Sequence, residues 1–562
     1  MREGHRGGER GNQILELTDV MMEWAIVLAG AAALGIALHL AIRGMGLRWS
    51  WAVPVLALGA VLALASTRAG VLAAGGAAVA LTIGVTWHRH ELERGGVEAQ
   101  RERDRLGPLS LVRTRWAIRK ARLDRTSGDR FALGQTSSGR VLTIPFGSRQ
   151  GVRGMILGSP GSGKTVTTAA IAGAYARHGL PIVCVDPKGD PGLRDQLAAA
   201  AAGSGARFAE WSHEGPAIYN PLSRGDATEI ADKALGGETW SEPHYLRQAQ
   251  RYLGWELRVM QEAGVEIGLR SVAQHMDVEL LDALGDRCSP ETTEALGRYL
   301  ASLSVRQRAD LGGVRDRLAI LGESSLGRWL DPEQPGEQID LSEAWRMRSV
   351  LYFRLDADRY PLASEMLGAA IVSDLVSLTG ELQRRAHLGL VAIDEFAALG
   401  AREVLRVLSR SRSAGVSVLL ATQGLADLGE VGMDTGSEAF SRRVLTQLDF
   451  TIAHRQPEPH AASLLASVAG TRPVWVTTRR IDSRLSLQAK DNTGTRTRER
   501  EFVRHPDEFK TLGTGEAIVI EPASSRAAAR VRVWATEPGQ SSGSDWRGAG
   551  RGGVAWPRRI AS

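Results

Sequence analysis

Three uncharged, apolar runs open the chain, and they are apolar on all sides rather than on one face. Trp24 to Ile42 is 19 residues long, which suffices for one membrane-spanning helix. Trp51 to Thr67 and Ala69 to Trp87 follow, and only Arg68 separates them. These two runs predict either two short spans that turn at Arg68 or one span beside a re-entrant or interfacial segment. The pattern therefore predicts a membrane anchor with two or three spans.

The basic flank after the third run predicts the orientation of this anchor. Between His88 and Arg125, eleven Lys and Arg residues outnumber six Asp and Glu residues, an excess typical of the cytoplasmic side. A cleaved signal peptide is disfavoured, because its apolar core spans only about 7–15 residues. A buried helical hairpin is the remaining alternative for the runs. The flank itself is compatible with a lipid-binding patch, a DNA-contacting stem or a plain topology signal.

From Arg130 onward, short apolar runs alternate with segments of helical length, which predicts a parallel sheet with helices on both faces. Ligands bind such sheets beyond the carboxyl ends of the strands. The predicted strands are Val141–Ile144, Gly154–Leu157, Ile182–Asp186, Val350–Leu355, Leu390–Asp394, Ser417–Ala421 and Phe450–Ala453.

A phosphate-binding loop follows the second of these strands and precedes a helical run, Val166 to Arg177. Glycines let backbone N–H groups turn inward as an anion nest, and the helix N-terminus adds partial positive charge. Lys164 is expected to reach the β- and γ-phosphates, and the Thr165 hydroxyl to ligate Mg²⁺. The loop residues are Gly158, Ser159, Pro160, Gly161, Ser162, Gly163, Lys164 and Thr165.

Polar residues that end three further strands are candidates for the same site. Asp394 and Glu395 close an apolar run as a Walker B motif does, which predicts that Asp394 holds Mg²⁺ and Glu395 polarises the attacking water. Gln423 is compatible with sensing the γ-phosphate and equally with a plain turn. The segment from Asp186 to Asp190 either lines the nucleotide pocket or forms an ordinary β-turn.

A helical insertion is predicted between the two nucleotide motifs, because Lys164 and Asp394 are 230 residues apart (394 − 164). The excess lies at about Pro221 to Ser342. An apolar stripe at helical spacing comprises Leu246, Ala249, Leu253, Leu257 and Met260. Further helices are predicted at Ser271–Leu284, Thr292–Leu303 and Val305–Leu321. Five arginines of the insertion are candidates for a DNA contact, although an ordinary solvated face is the default interpretation: Arg298, Arg306, Arg308, Arg315 and Arg317.

Composition narrows the class of protein only modestly. The net charge of +6 and the pI of about 9.5 suit nucleic acid or anionic lipid without deciding between them. Two distant cysteines, Cys184 and Cys288, argue against a disulfide framework or a zinc site. Only six of the 69 basic residues are lysines, so a lysine at the position where a phosphate loop needs one is informative.

Residues 130–535 resemble the conjugative coupling proteins of type IV secretion, the TraD/TraG-like branch of the FtsK–HerA ATPases. The N-terminal spans and the phosphate loop contribute to this resemblance. The other matching segments are Asp186–Gly189, Tyr219–Leu222, Asp394–Gly400, Arg410–Gly415 and Thr422–Gln423. The resemblance implies an α/β, RecA-like P-loop ATPase core with an inserted all-α subdomain, preceded by N-terminal transmembrane helices.

The resemblance also implies partners and cofactors. Coupling proteins form membrane-anchored homo-hexamers, bind a relaxase–DNA complex, and use ATP with Mg²⁺ to feed DNA to the secretion channel. DNA is expected to pass as a single strand, although its strandedness in the channel stays open. The family further implies an arginine that reaches the neighbouring subunit's nucleotide, for which Arg412 is the better match and Arg410 the second. A solvated arginine at a helix end is the alternative.

The resulting architecture is a multi-pass protein of the inner or plasma membrane with a large cytoplasmic C-terminal part. Its predicted units are a tail (1–22) on either side of the membrane, the anchor (23–88), a basic stem (89–129), a nucleotide-binding domain (130–220 and 343–535), the helical insertion (221–342) and a disordered tail (536–562). Family members commonly have a periplasmic loop between two spans, and here the connections are very short.

Two other functions stay open. One is an FtsK/HerA-like DNA translocase for chromosome or plasmid segregation, which is disfavoured because too few residues follow Val533–Ala535 for a DNA-reading domain. The other is a membrane-tethered, nucleotide-dependent recruitment scaffold for protein secretion with little turnover. The complete set of Lys164, Thr165, Asp394 and Glu395 argues against a scaffold.

Overall fold

The structure is a computed structural model. It describes residues 5–45, 47–64, 68–94, 116–121, 125–137, 139–147, 149–236, 242–383, 388–399, 401–425, 437–479, 494–522 and 528–535. The predicted disordered tail (536–562) and most of the predicted basic stem lie outside these residues.

The N-terminal region is helical, as its apolar runs predict. Helix α1 covers His5–Gly44, a 3₁₀ turn covers Trp49–Trp51, and α2 (Ala52–Leu64) and α3 (Arg68–Arg94) follow. The stretches Met21–Gly44 and Ala69–Glu91 are long and apolar enough to cross a membrane, whereas α2 has only 13 residues. The number of membrane spans, two or three, therefore remains a prediction. Helix α1 begins upstream of the first apolar run, within the predicted N-terminal tail.

Glycines let these three helices pack closely. A Cβ at Gly59 of α2 would lie 2.6 Å from the backbone nitrogen of Ala74 in α3. A Cβ at Gly35 of α1 would lie 2.6 Å from the carbonyl oxygen of Gly76 in α3. Close backbone approach through small residues is characteristic of helices that associate in lipid. The three N-terminal helices thus form one packed unit.

Two β-sheets follow the anchor in the described part of the chain. The strands are β1 (Thr126–Ser127), β2 (Arg130–Thr136), β3 (Val141–Pro145), β4 (Arg153–Leu157), β5 (Ile182–Asp186), β6 (Phe208–Ser212), β7 (Val350–Arg354), β8 (Gly389–Ile393), β9 (Val416–Thr422), β10 (Phe450–Ala453), β11 (Thr471–Arg479), β12 (Gly494–Phe502), β13 (Glu516–Ile520) and β14 (Ala528–Val533). Strands β11 and β12 form a separate hairpin, and the others join in one large sheet.

The centre of the large sheet is parallel, in the order β10-β4-β9-β8-β5-β7-β6. Alternate side chains of these strands enter two apolar cores, one on each face of the sheet. Met155 and Val183 lie in one core, and their neighbours Ile156 and Cys184 lie in the other. Because both faces are buried, each central strand is a nearly continuous apolar run.

An antiparallel extension at one side of the sheet corrects the expectation of a wholly parallel sheet. Strands β13, β14 and β2 continue the sheet beyond β10, and β1 and β3 both pair with β2. All seven predicted strands are present within one or two residues. However, Val141–Ile144 lies in the antiparallel part, and β1, β2, β6 and β11–β14 were not predicted. Apolar and charged residues alternate in some of these strands, as at the end of the AARVRV sequence of β14, so a search for apolar runs misses them. Strand β13 is different, because Ala517 to Ile520 is a buried apolar run that was overlooked.

The helices of the core cover both faces of the sheet. They are α4 (Lys164–Arg177), α5 (Pro191–Ser204), α6 (Ala227–Leu235), α7 (Pro243–Glu262), α8 (Leu269–His275), α9 (Val278–Gly285), α10 (Pro290–Ala301), α11 (Val305–Gly322), α12 (Leu341–Arg346), α13 (Pro361–Leu382), α14 (Ala401–Ser411), α15 (Ser437–Thr446), α16 (Pro459–Ala469) and α17 (Pro506–Lys510). Helix α13 has the length and hydropathy of a membrane span, but most of it is buried in the core.

The segment between β6 and β7 is helical in its regular elements, α6 to α12. In α7 the predicted stripe is buried from Ala249 onward, and Leu246 remains partly exposed. The single helix predicted at Ser271–Leu284 is wrong. Asp277 separates α8 from α9, because its carboxylate accepts hydrogen bonds from the backbone nitrogens of Glu279 and Leu280 (both 3.1 Å) and caps a new helix. The domain boundaries remain predictions.

A buried polar cluster joins this helical segment to the core. Asp374 of α13 accepts hydrogen bonds from Lys233 Nζ at 2.7 Å, Arg224 at 3.2 Å and the Tyr219 hydroxyl at 3.0 Å. Lys233 and Asp374 are each 1% exposed. Buried charges persist only when they are paired and hydrogen-bonded, so α6 and α13 are held in one relative position.

Candidate nucleotide-binding site

The predicted phosphate loop connects β4 to α4, as its motif requires. The loop leaves the carboxyl end of β4 at Leu157, and α4 begins at Lys164. Gly161 and Gly163 have φ angles of +70° and +115°, which residues with side chains rarely adopt. A Cβ at Gly158 would lie 2.8 Å from Cβ of His454. The three glycines are therefore required by backbone conformation and by close packing.

Backbone hydrogen bonds hold the loop on three sides. Gly158 N donates to Thr422 O at 3.3 Å, at the end of β9. Ser159 N donates to Arg455 O at 3.1 Å, just after β10. The carbonyl oxygen of Ser162 accepts from Gly515 N at 2.9 Å, just before β13. The loop thus contacts both the parallel centre of the sheet and its antiparallel extension.

Lys164 and Glu395 form an ion pair at the centre of the site. The Lys164 Nζ atom lies 2.5 Å from Glu395 Oε1, and the two side chains are 10% and 11% exposed. Lys188 Nζ lies 2.9 Å from the same oxygen. Burial raises the pKa of Glu395, but the hydrogen bonds and charges of the two lysines outweigh it, so the net pKa is lowered. The Glu395 carboxylate is therefore ionised near neutral pH.

The backbone of Glu395 is unusual as well. Its φ angle is +40°, in the left-handed region that a residue with a side chain enters at a cost on the order of 1 kcal/mol. Such strain persists only where the surrounding structure imposes it, and it is concentrated at functional sites. The turn after β8 thus aims the Glu395 carboxylate at the phosphate loop instead of following the strand direction.

Asp394 and Thr165 supply oxygen atoms suited to a divalent cation. Asp394 follows β8 and is buried, and burial with the adjacent charge of Asp186 raises its pKa to about 6. The Thr165 hydroxyl donates to Asp190 Oδ2 at 3.0 Å, which leaves its lone pairs available. Carboxylate and hydroxyl oxygens are ligands that Mg²⁺ prefers.

An unsatisfied polar atom supports the fit to phosphate. The hydroxyl oxygen of Ser162 is buried within the loop and has no hydrogen-bond partner among the residues that the structure describes. Buried polar atoms without partners are rare, and a bound anion would satisfy this one. Together with the Lys164 ammonium and the N-terminus of α4, the loop suits the phosphates of a nucleotide.

The two remaining predicted site residues lie at different edges of the sheet. Gln423 directly follows β9 beside the phosphate loop and is half-buried. Its backbone carbonyl oxygen accepts a hydrogen bond from Gln456 Nε2 at 3.1 Å. Arg412 precedes β9 and so lies at the opposite edge, beyond the reach of an arginine side chain to the loop. Its guanidinium lies 3.7 Å from Asp449, which precedes β10. The structure therefore brings Gln423, but not Arg412, to the phosphate loop of the same chain.

Comparisons with known proteins bear on the family. Residues 389–513 match the family described as the TraM recognition site of TraD and TraG. Among curated proteins, none is significantly similar to this chain in sequence. Among solved structures, the unbound conjugative coupling protein TrwB matches with 16% identity over 75% of this chain and 92% of that chain, at a TM-score of 0.54. The predicted resemblance to conjugative coupling proteins is confirmed.

TrwB also matches in complexes with nucleotides. Its complex with ADP and Mg²⁺ has the same identity, coverage and TM-score as the unbound form. Its complex with the non-hydrolysable ATP analogue ADPNP matches at a TM-score of 0.51, with 16% identity over 75% of this chain and 92% of that chain. At this identity the likeness establishes the fold, which is that of the TrwB P-loop core.

Three residues near the site were not predicted as site residues. Lys188 lies in the Asp186–Asp190 turn and contacts Glu395, and Asp190 contacts Thr165. His454 follows β10 and is fully buried. Its Nδ1 donates to Glu516 O and its Nε2 accepts from the Thr167 hydroxyl, both at 2.9 Å, so its neutral tautomer is defined. The turn was a sequence signal for the first two, whereas nothing local marks His454.

His454 makes stability depend on pH. Burial lowers its pKa to about 4, against about 6.5 in an unfolded chain, so only the unfolded chain takes up a proton between these values. Stability should therefore fall as pH decreases from about 6.5 to 4, by up to roughly 3 kcal/mol. Thermal unfolding of the detergent-purified chain should show a shallower pH dependence for His454→Gln. His460→Gln, at an exposed histidine, should keep the wild-type slope. An unchanged slope in His454→Gln would contradict this assignment.

Proposed function

We propose that this chain is the membrane-anchored ATPase of a conjugative type IV secretion system. It couples a relaxase–DNA complex to the secretion channel and drives DNA transfer by hydrolysing ATP. One observation carries the proposal: Lys164, Thr165, Asp394 and Glu395 converge at one edge of a sheet in a chain whose residues 389–513 match the TraD and TraG family. The apolar N-terminal helices supply the anchor.

In this proposal each residue of the site has a chemical task. The loop amides and Lys164 bind the β- and γ-phosphates, and Glu395 orients and deprotonates the attacking water. Thr165 and Asp394 hold Mg²⁺, which neutralises charge that develops on the phosphates. The phosphate loop, Asp394 and Glu395 lie together at the carboxyl edge, and Gln423 is available there to sense the γ-phosphate or to hold the water.

Hydrolysis should require Glu395, and nucleotide binding should not. Glu395→Gln should lower the DNA-stimulated kcat by about 10²-fold or more, because a general base contributes 10²–10⁴ in rate. It should retain nucleotide affinity, whereas Lys164→Ala should lose both affinity and turnover. ATP hydrolysis and equilibrium nucleotide binding are measured on the detergent-purified chain with and without DNA. Glu343→Gln, at an exposed carboxylate on α12, is the matched control.

The outcome separates the proposed motor from the alternatives. An assembled oligomer that binds nucleotide and DNA without hydrolysing ATP would favour the recruitment scaffold. ATP hydrolysis that persists at the wild-type rate in Lys164→Ala and Glu395→Gln would reject the site. A mating assay separates conjugation from chromosome or plasmid segregation. If the chain serves conjugation, relaxase-bound DNA is transferred by the wild-type chain and not by Glu395→Gln.

Arg412 is proposed to complete the site of a neighbouring subunit in a homo-hexamer. Its own phosphate loop lies at the other end of the strands, and in a head-to-tail ring two different surfaces of neighbouring subunits meet, so an arginine of one subunit can serve the nucleotide of the next. An arginine in this role is worth about 10³–10⁵ in rate. Within one chain its contact with Asp449 at 3.7 Å is the competing role.

Mixing two inactive variants tests action between subunits. Arg412→Ala and Lys164→Ala should each be inactive, and a mixture should regain activity, because the intact loops of the first meet the intact arginines of the second. At equal amounts, up to about a quarter of the interfaces are complete. Arg410→Ala should behave as wild type, and Asp449→Asn tests the intrachain ion pair. Intact mixed oligomers without any recovery would return Arg412 to a surface role.

A basic and aromatic face on α7 is proposed as a DNA contact. Arg247, Arg251, Trp255 and Arg258 recur at spacings of four, four and three, on one side of the helix. Trp255 stacks on Tyr299 of α10 with ring centroids 5.9 Å apart. The guanidinium of Arg251 lies 4.8 Å from the Tyr299 ring, and that of Arg258 lies 4.8 Å from the Trp255 ring. Aromatic rings and stacked arginines suit the bases and phosphates of single-stranded DNA.

At least three of the five arginines named from the sequence make contacts within the chain. Arg308 and Arg317 donate to backbone carbonyls, and Arg315 contacts Asp316. Arg251→Ala combined with Arg258→Ala should therefore weaken single-stranded DNA binding about tenfold and reduce its salt dependence. Fluorescence anisotropy with a labelled oligonucleotide measures both effects. Arg346→Ala, at an exposed arginine on α12, is the control. Equal affinity in the double variant and the control would remove this face from the DNA path.

A further inference from the structure

Two lysines share one carboxylate oxygen in the nucleotide site. Lys164 Nζ lies 2.5 Å and Lys188 Nζ 2.9 Å from Glu395 Oε1. The chain has only six lysines among 69 basic residues, so two of the six meet at a single atom. Lys164 belongs to the phosphate loop, whereas Lys188 comes from the turn after β5. The established roles of a phosphate loop and a Walker B motif leave Lys188 without a task.

The turn that carries Lys188 is firmly held. The Asp186 carboxylate accepts from the backbone nitrogens of Lys188 and Gly189 at 2.9 Å and of Asp190 at 2.8 Å. The Tyr352 hydroxyl donates to the same carboxylate at 2.6 Å. Gly189 has a φ angle of +68°, which the tight turn requires. Lys188 is therefore presented to Glu395 from a fixed backbone, although its own side chain is 44% exposed.

Nucleotide binding must rearrange the ion pairs at this oxygen. If Lys164 binds phosphates, as proposed above, it turns away from Glu395. Glu395 is 11% exposed, and an unpaired carboxylate at such a position is costly. Phosphate replaces Glu395 as the partner of Lys164, and Lys188 is already within hydrogen-bonding distance of Glu395. Because Lys188 remains paired with Glu395, Lys164 can move to the phosphates without leaving the buried Glu395 carboxylate unpaired.

We propose that Lys188 is a positioning residue, which holds the Glu395 carboxylate in place while Lys164 is engaged with the nucleotide phosphates. This inference rests on the proposed ATPase function and adds to it the residue that permits the exchange. Lys188 acts through Glu395 and does not contact the nucleotide. A lysine that instead binds phosphate directly, or that attracts the nucleotide only by its charge, is the competing interpretation.

A double-mutant cycle separates these interpretations. The variants are Lys188→Met, Glu395→Gln and the combination of both, and the readout is equilibrium binding of a fluorescent, non-hydrolysable ATP analogue with Mg²⁺ to the detergent-purified chain. Lys188→Met alone should weaken binding about tenfold, the scale of coupling between residues in contact. In the Glu395→Gln background, Lys188→Met should not change the affinity, because the glutamine carries no charge that needs a partner.

Two more variants complete the experiment. Lys188→Arg retains the positive charge and should recover most of the affinity, which separates loss of charge from loss of packing. Lys510→Met, which removes a surface lysine 3.1 Å from Asp507, should bind as wild type. In the hydrolysis assay Lys188→Met should also lower kcat at saturating ATP, because Glu395 loses the group that orients it, so the defect is not confined to KM.

Each outcome decides the proposal. Loss of affinity that is equal in both backgrounds would assign Lys188 to direct phosphate contact and overturn the positioning role. Wild-type affinity and kcat in Lys188→Met would overturn it as well. Binding is read independently of hydrolysis, so these results leave the proposed function standing. Absence of nucleotide binding by the wild-type chain would overturn both.

Discussion

The parallel hydrogen bonding of β4, β9, β8 and β5 is the constraint on which the site depends. Strands in a sheet lie about 4.8 Å apart, so the ends of β4 and β8 are separated by roughly 10 Å with β9 between them. A lysine at the first residue of α4 spans that gap and meets a carboxylate that follows β8. An antiparallel neighbour at any of these positions would have sent one of the groups to the other edge.

Most strands of the parallel core could be predicted from the sequence, because the patterns that mark them are local. A strand buried on both faces is a continuous apolar run, and a phosphate loop is a contiguous motif, so both are recognisable without knowledge of distant residues. Strand β14 is not an apolar run of this kind, because arginines alternate with its valines, and it escaped prediction for that reason. The break at Asp277 was missed because a cap residue inside an apolar pattern is easily read as part of one helix.

The contacts around the site were harder to predict than its motifs. Lys188 and Glu395 are 207 residues apart in the chain, and His454 and Thr167 are 287 residues apart. Such pairs are determined by the order of the strands, which periodicity along the chain does not give. Arg412 shows the same limit: its segment was recognised by resemblance, but its place at the amino edge follows only from the parallel direction of β4 and β9.

The hydrogen bond between Gly515 and Ser162 joins the phosphate loop to the antiparallel extension of the sheet. Gly515 also accepts a hydrogen bond from Val533 at the end of β14, and Trp534 donates to Leu133 in β2. Strand β2 follows the N-terminal helices and the basic flank along the chain. A continuous series of backbone hydrogen bonds therefore connects β2, through the end of β14 and Gly515, to the phosphate loop. The extension that the sequence did not reveal thus fixes the position of the phosphate loop relative to the strand through which the chain enters the sheet.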